Sequence, residues 1–349
     1  MKMKHIHGGN VYQYQNCVDF SANCNPLGTP ERVKNAIIES LSHINNYPQV
    51  GCAPLKEAIA QYEGVKPSQV ICGNGAAELI FSLCRALKPK RALLPAPTFA
   101  EYEQALTSVD CVCSHFFLKE ERDFSMDDSF LEEISKGFDI IFLCNPNNPT
   151  GILTDRDFLM KVLKKCREHS VFLVVDECFL DFVKEPESYT LKDVLKEYQN
   201  LFLLKAFTKR YAMAGVRLGY GLTANQDLLQ KMESVTQPWN VSSLAQAAGL
   251  AALKETEYVK EGRETVFKEQ EFLKKEMREL GFTVFPSEAN YIFFKGERNL
   301  FEKCVEKSVL IRDCSNYPGL EAGYFRIAVK NHEDNKTLIR ALKEIAERG

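Results

Sequence analysis

The stretch Lys205 to Tyr220, KAFTKRYAMAGVRLGY, decides how the chain is read. It follows Leu201-Phe202-Leu203-Leu204, an uninterrupted apolar run of the length of a buried strand. Thr208-Lys209 stands just past that run, and Arg217 lies eight residues after the lysine, between Gly215 and Gly219. A lysine at the end of a buried strand loses part of its hydration, which favours a neutral, nucleophilic amine. An arginine in a glycine-relieved loop can fork onto a phosphate. The pair suggests a Schiff-base lysine beside a phosphate clamp, as pyridoxal phosphate requires. A solvated lysine beside a structural arginine is the plain alternative, and this stretch by itself leaves both open.

Working outward, the preceding residues alternate strands with helices. Val70-Ile71-Cys72 runs into Gly73-Asn74-Gly75-Ala76-Ala77-Glu78 and a helix over Leu79 to Leu87. That order gives a generic anion cradle, though the glycine spacing is neither a Walker A nor a GxGxxG pattern. Ala92-Leu93-Leu94 leads to Pro97-Thr98-Phe99, and Asp139 to Cys144 leads to Asn145-Pro146-Asn147-Asn148-Pro149-Thr150-Gly151. After a helix near Asp155 to His169, Val171 to Val175 ends at Asp176-Glu177. Continuous apolar strands separated by amphipathic helices indicate a parallel sheet covered on both faces. Functional groups then belong at the strand C-termini, where Asn148, Asp176 and Lys209 all stand.

The ends differ in character. His7-Gly8-Gly9-Asn10 and Asp19 to Gly28 are rich in Gly, Asn and Pro and read as ordered loop. Thr29-Pro30 reads as a hydroxyl cap with proline at the first helical position, and Asn46-Tyr47-Pro48 as the end of that helix. Downstream, Ala245 to Leu253 and the charged Glu255 to Leu280, with Gly262 inside it, read as helices. Short strands at Phe282 to Phe285, Tyr291 to Phe294, Val309-Leu310-Ile311 and Tyr324 to Val329 follow, with helices near Leu300 to Lys307 and Glu333 to Glu347. The expected division is an N-terminal segment, 1–28, packing at the active site; a large cofactor-binding domain, 29–250; and a smaller α+β domain, 251–349.

Composition narrows the class. The 349 residues are 45% hydrophobic and 26% charged, the profile of a globular protein large enough for two packed domains. A net charge of -3 gives no reason to expect nucleic acid or an anionic membrane as a partner, so a cationic site must be local. The twelve cysteines include no CxxC pair and no zinc spacing, so no metal is expected and most thiols read as buried and reduced. MKMKHIHGG lacks the apolar region of a secretory signal, which makes the cytoplasm the default expectation.

Pyridoxal phosphate acts as an electron sink only while its ring nitrogen stays protonated, a task suited to a buried carboxylate such as Asp176. Asn148 could donate to the phenolic oxygen, and Phe99 could stack on the ring. Gly75, Ala76 and Ala77 could offer backbone N–H groups to the phosphate, with Thr208 and Arg217 completing the clamp. Each has an ordinary alternative: Asp176 as a helix cap, Asn148 as a turn residue, Phe99 as core. Their joint occurrence in this order favours the cofactor site.

NPNNPTG, then VVDE, then FTK with an arginine eight residues later resembles the fold-type I aminotransferase family over nearly the whole chain. The resemblance implies an α/β fold-type I pyridoxal-phosphate-dependent transferase, with a mainly parallel central sheet covered by helices and a smaller α+β domain. HGGN, DFSANCNPLG, IRDCSNYPGL and YFRIAV are similar to the threonine-phosphate decarboxylase branch, the cobalamin-pathway relatives of histidinol-phosphate aminotransferase. It implies Lys209 as the cofactor-bearing lysine, Asp176 as the ring-nitrogen partner and Asn148 as the phenolic-oxygen partner. It also implies that Tyr47 reaches the cofactor phosphate of a neighbouring subunit, so that the active unit is a homodimer. Arg326 resembles the family's substrate-anion arginine, with Arg312 and His7 sharing the work of holding a phosphate and a carboxylate.

Two positions depart from the aminotransferase pattern. Ala206 stands where many relatives carry a hydroxyl on the cofactor phosphate, with Thr208 as a compensating donor. Phe179 stands where aminotransferases usually have a tyrosine, and resembles the decarboxylase branch. The expected reaction is decarboxylation of an O-phospho-L-amino acid, L-threonine-O-3-phosphate or its one-methyl-smaller homologue L-serine-O-3-phosphate. Histidinol-phosphate aminotransferase is the enzyme alternative, and a non-catalytic binding protein on the same fold is the alternative of another class.

Overall fold

The computed structural model describes residues 7–347; residues 1–6 and 348–349, at the outer ends of the first and last expected segments, lie outside the described residues. Seven strands form the largest sheet, in the order Val70–Gly73, Gly219–Leu222, Leu201–Ala206, Phe172–Asp176, Ile140–Cys144, Arg91–Ala96, Val112–Phe117. From Leu201–Ala206 onward all neighbours are parallel, and Gly219–Leu222 is antiparallel to both of its own. The mainly parallel α/β sheet expected from the sequence is present, with one antiparallel strand added.

Side chains alternate between two apolar layers. Ile141, Leu143, Leu173, Val175 and Leu203 enter one core cluster, whereas Ile140, Phe142, Val174, Phe202 and Leu204 enter the other. Both faces are buried, so these strands carry no polar alternation. The period of two also sends consecutive residues to opposite sides. Asp176, at the end of its strand, follows Val174 to one side, and Glu177 leaves on the other.

On that far side lies a buried network of charges. Lys205 Nζ is 3.2 Å from Glu177 Oε2 and 3.4 Å from Glu63 Oε1. Tyr220 donates its hydroxyl hydrogen to Glu63, and Arg210 donates to Tyr220 at 3.1 Å and to Asp181 at 3.0 Å. Each acid and base of the network thus has a partner of opposite charge, which burial of an ionised group demands, and the neutral Tyr220 hydroxyl bridges Arg210 and Glu63.

A second sheet of four antiparallel strands has the order Arg312–Asp313, Tyr324–Ala328, Tyr291–Lys295, Thr283–Val284. Its apolar side joins Leu273, Met277, Leu338 and Leu342 from helices Thr256–Glu279 and His332–Ala346 in one core. The N-terminal segment is stitched to this half: Val18–Asp19 pairs in parallel with Val309–Leu310, and Ala328 N donates to Phe20 O at 2.7 Å. Gly262 permits a close crossing, because a Cβ there would lie 2.3 Å from the Asn25 amide. Asn25 in turn accepts nothing from the helix but donates to the turn carrying Lys209, from its N to Lys209 O at 3.0 Å and from Nδ2 to Arg210 O at 2.9 Å.

Three local expectations are corrected. Thr29 does not cap the first helix, which runs Glu31–Ser40 after Pro30 without a side-chain cap; its hydroxyl donates to Ala212 O at 2.6 Å instead. That helix gives way at Ser40 to a 3-10 turn, Leu41–His43, before reaching Asn46. The strand expected over Val309 to Ile311 stops at Leu310 and pairs with the N-terminal segment, and a separate strand, Arg312–Asp313, enters the four-stranded sheet. A bend between two sheets leaves no mark in an apolar run.

Candidate active site

A cavity of about 320 Å³ opens at the C-terminal ends of the parallel strands. Ala76, Ala77, Phe99, Asn148, Asp176, Thr208, Lys209 and Arg217 line it, and so do His7, Arg312 and Arg326. Residues spread over 320 positions of sequence therefore converge on one space. Gly75 and Tyr47 are not among the residues that line it.

Strand Val70–Gly73 turns through Asn74 into helix Gly75–Leu87, whose N-terminus has no side-chain cap. Uncapped first-turn N–H groups carry the positive end of the helix dipole and suit an anion. Gly75 has φ +80°, and a Cβ there would sit 2.5 Å from the Arg217 guanidinium. Gly219 is equally constrained, since a Cβ would meet Ala76 N at 2.5 Å. The two glycines let Arg217 and the helix start approach each other, leaving a cradle for a phosphate.

Asp176 is 4% exposed. Its Oδ2 accepts from the Tyr102 hydroxyl at 2.5 Å and its Oδ1 from Cys178 N at 2.9 Å. Burial pushes its carboxyl above the ordinary value, against the pull of its hydrogen bonds with Cys178 and Tyr102. A desolvated carboxylate of this kind gains from a cationic partner, which a protonated ring nitrogen supplies. Lys209 Nζ lies 5.8 Å from the centre of the Phe179 ring, and that ring packs edge-on against Tyr291.

Arg326 is 5% exposed and holds several elements together. It donates to Asn148 Oδ1 and, at 2.8 Å, to Ser21 O, and its guanidinium lies over the Tyr291 ring. With Oδ1 taken by Arg326, the Asn148 amide has Nδ2 as its donor. Asn23, with its amide turned, accepts from Arg326 Nε at 3.2 Å. Arg312 is likewise buried, donates to Asn316 Oδ1 at 2.8 Å, and lies over Tyr317. His7 Nδ1 is 2.9 Å from Glu101 Oε1.

Tyr47 is 79% exposed and stacks on Trp239 with ring centroids 4.5 Å apart. Ala206 and Phe179, the two departures from the aminotransferase pattern, both line the cavity. Sequence reading missed Glu101, Tyr102 and Asn147. Asn147 braces the loop before Asn148 through Pro97 O at 3.0 Å and Thr150 Oγ1 at 2.9 Å. Tyr102 lies three residues after Phe99, in the first turn of helix Glu101–Thr107, and that nearness to Phe99 was the available signal. Glu101 gave none, because an acid in a first helical turn ordinarily serves the dipole in solvent.

The arrangement fits pyridoxal phosphate. The glycine-relieved cradle could take a phosphate, the buried Asp176 could face a ring nitrogen, and Lys209 lines the same space. The volume falls at the lower end of the range of about 300–1,000 Å³ usual for small-molecule sites.

Comparison with known proteins agrees with this geometry. The model of the family described as aminotransferase class I and II matches residues 15–342. The threonine-phosphate decarboxylase of Salmonella typhimurium is 34% identical, over 97% of this chain and 96% of its own. A protein of Caldanaerobacter subterraneus, whose name assigns it that activity provisionally, is 40% identical over 100% of this chain and 96% of its own. Among solved structures, the histidinol-phosphate aminotransferase from Clostridium acetobutylicum superposes with a TM-score of 0.88 at 31% identity, covering 95% of this chain and 99% of that one. With a match across all but the ends and the same fold at the same length, the chain belongs to the class I and II aminotransferase family.

Proposed function

We propose that this protein decarboxylates an O-phospho-L-amino acid with pyridoxal 5'-phosphate as cofactor. The substrate is L-threonine-O-3-phosphate and the products are (R)-1-aminopropan-2-ol O-phosphate and carbon dioxide, a step of cobalamin biosynthesis. The observation that carries the reading is the convergence of Arg312, Arg326 and His7 on the cavity of Lys209 and Asp176. Three cationic side chains beyond the cofactor clamp suit a substrate with both a phosphate and a carboxylate. L-Serine-O-3-phosphate lacks one methyl, a difference worth about 1–3 kcal/mol in a pocket, so it is the natural competitor.

Lys209 would carry the cofactor, Asp176 hold a proton at its ring nitrogen, and Asn148 donate to its phenolic oxygen. Phe99 would lie on the ring face, while Gly75, Ala76, Ala77, Thr208 and Arg217 take the phosphate. When bound, the cofactor supplies a sink for the electron pair released from Cα. The chain decides which Cα bond gives up that pair. Arg326, Arg312 and His7 hold the substrate's two anionic groups and so set the direction of the carboxylate relative to the ring. Once the carboxylate has left as carbon dioxide, Lys209 as an ammonium would give Cα a proton in its place.

The active unit is a homodimer in which Tyr47 serves the neighbouring site. Ile38, Leu41, Ile44, Tyr47, Val50 and Trp239 support this, all large apolar side chains exposed by 45–79%. The twelve cysteines stand as free thiols, in keeping with a reducing cytoplasm. Among the described residues no helix is long and apolar enough to cross a membrane.

A second reading, histidinol-phosphate aminotransferase, is favoured by the likeness to the Clostridium structure. Its amino donor has a phosphate and no carboxylate, so it would engage one of the two anion sites and leave the other to the carboxylates of the 2-oxo acid acceptor. The test supplies cofactor-loaded protein with L-threonine-O-3-phosphate and no 2-oxo acid. Catalytic release of carbon dioxide and the amino alcohol phosphate is expected. Amino transfer from histidinol phosphate to 2-oxoglutarate, without that release, would move the protein to the aminotransferase branch. Binding of the cofactor with neither reaction would make it a non-catalytic relative.

A further inference from the structure

The cavity holds a second carboxylate that the reaction above does not use. Glu101 opens helix Glu101–Thr107, its side chain is 13% exposed, and it lines the space meant for a doubly anionic substrate. Placed there unpaired, it would repel that substrate. One oxygen, Oε1, lies 2.9 Å from His7 Nδ1; the other, Oε2, is fully buried with no hydrogen-bond partner among the described residues. The backbone beside His7 is also fixed. A Cβ on Gly8 would come within 2.2 Å of Ser21 O, and Gly9 N donates to Ser21 Oγ at 2.7 Å.

We propose that Glu101 is a positioning residue that holds His7 as an imidazolium in the cavity, so that affinity for the substrate's phosphate depends on the charge of His7. The inference rests on the phosphoamino-acid reading and names the group that tunes it. With Nδ1 engaged by Glu101, Nε2 is the donor His7 has left for an anion. The charged groups facing His7 are Glu101 from its helix and Arg312 from strand Arg312–Asp313. The hydrogen bond to Glu101 raises the imidazole above its ordinary value, against burial and Arg312, which lower it.

The sign follows. A raised value keeps His7 charged below it, and the charge is lost as pH rises through it. A phosphate monoester becomes dianionic above about pH 6. Phosphate dianion and imidazolium therefore coexist in a window between the two ionisations, and Glu101 sets its upper edge.

The experiment follows the His7 imidazole of the holoenzyme, labelled with 13C-histidine and assigned through His7→Asn, in the wild type and in Glu101→Gln. The His7 midpoint is expected to fall by about one pH unit or more in Glu101→Gln, the scale for loss of an adjacent opposite charge. The basic limb of 1/KM for L-threonine-O-3-phosphate should move down with it. An unmoved His7 midpoint, or an unmoved limb, overturns the proposal. His7→Gln gives a second reading that leaves Glu101 in place. It should abolish the basic limb, and a limb that persists there also overturns the proposal. The titration needs no substrate, so a wild type that fails to decarboxylate L-threonine-O-3-phosphate would sink the functional reading and leave the Glu101–His7 pairing to be decided by the midpoint alone.

Discussion

Arg326 ties three distant pieces of chain to one point: Asn148 from the loop after strand Ile140–Cys144, Ser21 from the N-terminal segment, and its own strand Tyr324–Ala328. A planar guanidinium with five donors can serve all of them, Asn23 included, and keep an N–H for a carboxylate, whereas an ammonium with three cannot. Arg326→Lys keeps the charge and loses that spread of donors. Charge-assisted hydrogen bonds are worth about 1.5–3 kcal/mol, so KM for the substrate should rise by about 10- to 150-fold. Steady-state kinetics check this, and an unchanged KM would remove Arg326 from the substrate site. The residue itself was legible in YFRIAV by resemblance. Its grip on Asn148 and Ser21 was not, because neither lies within 170 residues of it in sequence.

At the level of elements, each of three neighbouring strands has a site residue and a network residue at or just beyond one of its ends. Asp176 has Glu177 beside it, Lys209 follows Lys205, and Arg217 precedes Tyr220. The far-side network thereby fixes the strand ends from which the site projects. Burial alone would raise the Glu63 carboxyl, but Lys205, Arg210, the Tyr220 hydrogen bond and Lys192 outweigh it and hold it down at about 2. Glu177 goes the other way: its burial outweighs the attraction of Lys205, and its carboxyl is raised. Glu63 faces more cations, which accounts for the difference. Lys205→Met should cost about 3–5 kcal/mol of stability at neutral pH, the scale for stripping one partner from a buried pair. The depressed Glu63 adds stability that is complete above its unfolded value of about 4.3 and lost as pH falls towards 2. The deficit of the methionine variant in urea unfolding should therefore shrink between pH 5 and pH 3, and a deficit independent of pH would deny Glu63 this role.

For the molecule as a whole, the exposed run Ile38, Leu41, Ile44, Tyr47 and Val50, with Trp239 beside Tyr47, is the surface that the proposed homodimer would bury. Ile44→Glu places an unpaired charge in that surface without touching the cavity. Sedimentation velocity should show its dimer dissociating at concentrations where the wild type stays associated. A wild type that sediments as a monomer would end the proposal that Tyr47 serves a neighbouring site.

Local patterning determined a good deal. Apolar runs bounded by glycine and proline gave the parallel sheet, because strands buried on both faces leave no polar positions to break the run. Lys209, Asp176 and Asn148 could be named because a strand C-terminus is a place in sequence as well as in space. The tertiary structure decided what depends on contacts between distant segments. It brought Asn25 onto the lysine turn over Gly262, bent the run after Val309 from one sheet to another, and drew Thr29 from a helix cap to Ala212. It also buried Glu101 beside His7. An acid in a first helical turn reads as solvated until another part of the chain covers it, and the energy of a charge is set by that cover rather than by its neighbours in sequence.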